Sequence, residues 1–133
     1  MPDQDPPNTP QDNSLAGTPL YAAQEKIAKI NHFHMEQFAY FLNKLKSVQE
    51  GEGSLLDNCM VVYGSAIGDG NRHNHDNLPI LLAGHGGSTL TAGRHIKLDK
   101  ETPMTNLYLS MLDRMNVRAE RVGDSTGKLE GIE

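Results

Sequence analysis

One periodic run limits what this chain can fold into. Apolar side chains recur at Leu20, Ala23, Ile27, Ile30, His34, Phe38, Phe41, Leu45 and Val48, in steps of three and four. That spacing gathers them on one stripe of a long amphipathic helix, ~40–45 Å from end to end at 1.5 Å per residue. Thr18 suits the N-cap, and Pro19 suits the first helical position, where a missing N–H is no loss. Gly51 and Gly53 stop the helix. His34 lies on the stripe and reads as a hydrogen-bonded core histidine. His32 is on nearly the opposite face and pairs by spacing with Glu36.

Two short apolar runs follow the helix. Cys59 to Tyr63 comes after an Asp57-Asn58 turn, and Leu78 to Ala83 carries Pro79 near its start. Neither run alternates, as expected for strands covered on both faces of a parallel sheet. Arg94 to Leu98 reads as a third strand. Thr102-Pro103 repeats the capping device before a second helical face, Met104 to Met115. Arg118 to Glu133 reads as loop, and Cys59 as an inert buried thiol. The fold expected is α/β: a small, mostly parallel sheet, one long N-terminal helix and one or two further helices, in a single module over residues 19–133. Residues 1–18 are rich in Pro, Asp, Asn and Gln and read as a disordered tail.

Composition removes several function classes. The 133 residues include 12 Lys plus Arg against 17 Asp plus Glu, a net charge of −5. An acidic chain with no basic stripe does not suit the phosphates of a nucleic acid. No apolar run approaches the length of a membrane span. A lone cysteine rules out an internal disulfide and a cysteine-based zinc cage. The first residues have neither the basic nor the apolar segment of a signal peptide.

The densest polar cluster is Gly64 to Asn77. It leaves the carboxyl end of an expected strand, where open α/β sheets place their ligands. His73 and His75 are two apart, so extended backbone would point both imidazoles the same way, toward a shared metal. Asp69 or Asp76 then supplies an oxygen ligand, and zinc or manganese is the ion expected. Ser65, Asn71, His85 and Arg94 are candidate binding residues around this site. The competing account is a polar surface loop whose Asn and Asp side chains cap their own turns. The glycines match neither a Walker loop nor G-x-G-x-x-G, and Ser65 is not in a nucleophile elbow. His73-Asn74-His75 matches the name of a nuclease class only in its letters.

Several elements in order carry a resemblance. They are Leu55-Leu56-Asp57-Asn58, the strand ending Tyr63-Gly64-Ser65, the Asn71 to Pro79 segment, Gly93-Arg94-His95, Thr102 to Leu107 and Gly123 to Gly127. Over about residues 20–129 the chain resembles the C-terminal end of the HXXSHH family, exported bacterial proteins of unknown function. That family is distantly similar to the alkaline phosphatase and sulfatase superfamily. The resemblance implies a fragment of a larger alkaline-phosphatase-like fold and an exported or periplasmic setting. The motif that names the family has no counterpart before this helix. The strand ends in Ser65-Ala66, where the superfamily has an Asp-His metal pair.

Two functions are therefore expected. One is a metal- or anion-binding C-terminal module of a hydrolase-like family, not catalytic alone. The other is a non-catalytic interaction subunit that buries its helix and sheet edge against partner chains. A stripe this long beside so small a sheet implies a homo-oligomer or a larger complex.

Overall fold

The structure is a computed structural model describing residues 17–98 and 100–133; apart from Gly17 and Thr18, the tail read from the sequence lies outside the described residues. The chain forms two compact units, Met1–Ala39 and Tyr40–Glu133.

The described part of the first unit is mainly the N-terminal portion of helix α1, Pro19–Ser47. Its start is the one the sequence specifies. Thr18 Oγ1 accepts the Tyr21 N–H at 3.2 Å, and the Thr18 carbonyl accepts the Ala22 N–H at 3.1 Å. No residue of α1 is buried. His34 is exposed, edge-on to Phe33 with ring centroids 6.0 Å apart, so it is not a core histidine. His32 and Glu36 do form the expected pair at 3.5 Å.

In the second unit, β1 (Gln49–Glu50) and β2 (Gly53–Ser54) make a minimal hairpin. Gly51 supplies its positive φ of 59°. One helical turn follows, α2 (Leu55–Asn58), with Ser54 at its N-cap. Strands β3 (Val61–Gly64) and β4 (Ile80–Ala83) then pair, with Val62 opposite Leu82. Helix α3 is Thr105–Arg114.

The sheet differs from expectation. Both pairs are antiparallel, not parallel. The physical reason lies in the connection. Parallel neighbours need a crossover, usually helical, whereas Ser65 to Pro79 contains no helix and folds straight back. The apolar runs do not reflect cover on both faces either, because Leu81 is 44% exposed. Arg94 to Leu98 forms no strand. Thr102 does not cap α3. The chain enters through a turn in which the Pro103 carbonyl accepts the Asn106 N–H at 2.9 Å.

The core is small. Leu90, Leu107 and Ile132 are buried together, with Val62, Ile80, Leu82, Met60, Met111 and Leu129 packed around them. Two of these, Leu129 and Ile132, come from the C-terminal segment read only as loop. That segment is tied to α3 by Ser110 and Asn106, both buried. Ser110 Oγ accepts the Leu129 N–H at 2.7 Å and donates to its carbonyl at 3.0 Å.

Candidate functional site

The Ser65 to Pro79 loop is organised by its own backbone. The Ser65 N–H donates to the Pro79 carbonyl at 3.3 Å, which continues the β3–β4 ladder by one step. Inside the loop, Asp69 and Asn74 form an isolated antiparallel bridge. Asp69 Oδ1 accepts the N–H groups of Asn71 at 2.8 Å and Arg72 at 3.3 Å. Those bonds, with the Asn71 N–H foremost, hold the Asp69 carboxyl below its ordinary range. Gly68 is required, since a Cβ there would lie 2.3 Å from the Asp76 carbonyl oxygen. Asp69 and Asn71 therefore belong to a turn of the kind that Asx side chains build for themselves.

The two histidines do not share an extended stretch. His73 takes φ of 55°, in the left-handed region, and this breaks the alternation that would align it with His75. His75 Nδ1 lies 2.6 Å from the Ala66 carbonyl oxygen, so it carries the proton and donates it. Among the described residues, no three His, Cys, Asp or Glu side chains converge as a metal ion requires, so Asp69, His73, His75 and Asp76 are not brought together.

The other candidates are dispersed. Ser65 Oγ accepts the Ile67 N–H at 3.2 Å. It opens onto a shallow cavity of about 330 Å³ lined also by Val62, Gly64, Ala66, Met104 and Tyr108, and among the described residues no imidazole or carboxylate lines it to act as a base. Arg94 donates from Nε to the Thr91 carbonyl at 3.1 Å and from Nη2 to the Glu133 main-chain oxygen at 2.6 Å. It thereby ties Thr91 to the C-terminal segment. Cys59 is free and only partly buried.

His85 is the one candidate with a built environment. Its Nδ1 lies 2.9 Å from Asp57 Oδ1. Asp57 Oδ2 accepts both the N–H and the hydroxyl of Ser54, each at 2.7 Å. These bonds, the Ser54 N–H foremost, lower the Asp57 pKa from 3.8 to about 2. Sequence spacing signals only the Ser54–Asp57 half; no local pattern links Asp57 to a histidine so far along the chain. A carboxyl stabilised as its ion strengthens the fold above its unfolded pKa. This contribution should be complete well above pH 3.8 and disappear as the pH falls toward about 2. Asp57→Asn should flatten that acid limb in a pH series of urea melts; an unchanged limb would show that the Asp57 bonds contribute nothing.

No family model, no curated protein and no solved structure matches this chain.

Proposed function

We propose that the chain is a non-catalytic interaction subunit. One observation carries this: a 29-residue helix, α1, buries none of its residues. Along it Leu20 is 58% exposed, Ile27 57%, Ile30 55% and Phe33 56%. An apolar face of that length is larger than soluble monomers leave open. Covered by a second helix along its whole length, it is of the order of a standard interface, about 800 Å² per partner. The resemblance to the C-terminal end of the HXXSHH family suits this reading. A piece of a larger sheet-and-helix fold carries faces meant for the remainder. A divalent metal in near-stoichiometric amount would instead support the metal-binding module.

The test is the mass in solution. At about 100 μM the native chain should sediment well above its monomer mass of 14.6 kDa. The double variant Ile27→Lys, Ile30→Lys should sediment as a monomer with its helix content intact. A native chain that remains a monomer would overturn the reading.

A further inference from the structure

The β3–β4 ribbon has two outer edges, and hydrogen-bond alternation states which groups they carry. The Ser65 N–H bonds the Pro79 carbonyl, and the register places 65 opposite 79. Residues 65 and 79 are thus a hydrogen-bonded pair. In an antiparallel ladder such pairs alternate, so Tyr63 with Leu81 and Val61 with Ala83 face inward. Val62 and Gly64 then turn their N–H and C=O groups outward on β3. Among the described residues no loop or side chain bonds these four groups. An open edge of this kind is a template for another strand.

Nothing on β3 blocks such pairing. The stretch from Cys59 to Ile67 has no charged residue and no proline, the usual protectors of a sheet edge. Beside the edge lies the 330 Å³ cavity, walled by Met104 at the N-cap of α3 and by Tyr108 of that helix. The edge is also self-complementary. Two β3 strands laid antiparallel about a two-fold axis at Tyr63 set Val62 opposite Gly64 of the other copy, twice. Both are outward-facing, so the arrangement makes four main-chain hydrogen bonds. Gly64 has no side chain to obstruct the opposing valine. That valine enters on the face where α3 forms the cavity wall. The two Tyr63 residues meet as a cross-strand pair.

We propose that β3 pairs edge to edge with β3 of a second copy, giving a four-stranded sheet in the order β4–β3–β3–β4. The proposal rests on the interaction-subunit reading and names one of its contacts.

Hydrogen exchange on the native chain tests it directly. The Val62 and Gly64 amides should exchange at least about tenfold more slowly when the protein is concentrated from dilute solution to about 100 μM, because only strand pairing gives them acceptors. A second arm uses proline. Val62→Pro removes an outward N–H without touching the β3–β4 bonds, and should lower the sedimenting mass. Leu82→Pro does the same to the outer edge of β4 and should leave the mass unchanged. Protection of α3 amides reports that each variant is folded. An assembly in which the Val62 and Gly64 amides exchange at a concentration-independent rate overturns the strand pairing alone. So does loss of mass in Leu82→Pro but not in Val62→Pro. A monomer at every concentration overturns the interaction reading with it.

Discussion

Gly84→Ala should be the most damaging single-methyl substitution in the unit Tyr40–Glu133, with an expected loss of about 3 kcal/mol or more. Gly84 leaves β4 with φ of 92°, where an L-residue is strained on its own account. The new Cβ would also lie 2.1 Å from the Cys59 carbonyl oxygen and 3.0 Å from that of Leu56. Both are backbone atoms and cannot swing aside like a side chain. They are held in place, moreover, by the loop that follows. The Gly86 N–H donates to the Cys59 carbonyl at 3.0 Å, the Gly87 N–H to that of Asp57 at 2.9 Å, and the His85 N–H to that of Leu56 at 3.4 Å. Relieving the clash breaks those bonds and takes His85 away from Asp57. Gly87→Ala is the matched control. It has φ of 66° with nothing within 4 Å of the added Cβ, so only the conformational strain of about 1–2 kcal/mol applies. Urea melts of the two variants should therefore differ clearly. Equal midpoints would mean that the Gly84 clash relaxes at no cost.

The contrast between those two glycines shows what was legible in the sequence. Sequence spacing cannot say which glycine of Gly84 to Gly87 faces backbone and which faces open space. Helix α1 was legible from Thr18 onward, since cap, proline and periodicity are local signals that need no partner. The positions of β3 and β4 were legible for the same reason, whereas the apolar pair Ile96 and Leu98 suggested a strand that does not form. Strand direction was not legible, because it depends on how the Ser65 to Pro79 connection returns, and an apolar run reads alike in either sense. The mutual placing of the loop histidines was not legible either. The alignment of His73 with His75 assumed extended backbone, and His73 has positive φ. The Asp57–His85 pair was invisible because its partners meet only where the turn after β4 reaches α2.

The C-terminal segment gave the least warning, and it carries the second large effect. Ile132→Ala should cost about 3 kcal/mol, within the range for truncating a buried isoleucine. Ile132 is 5% exposed in a cluster whose other buried members, among the described residues, are Leu90 and Leu107. A core this small has few neighbours able to close the cavity. The segment's polar ties act on the same stretch. Ser110 holds the Leu129 main chain, and Asn106 accepts the Thr126 N–H at 2.9 Å. Ser110→Ala leaves the Leu129 carbonyl without its donor, for about 1–2 kcal/mol. The Lys128–Asp113 pair at 2.6 Å is half exposed and adds little. Because Ile132 and Ser110 hold one segment, their losses should not add: once either detaches the segment, the other has less left to lose. The double variant should thus be destabilised by less than the sum of the singles. Limited proteolysis should find new cleavage between Arg118 and Glu133 in all three variants before any cut inside α3. Cleavage that begins in α3, or strictly additive losses, would mean that the segment does not act as one latch.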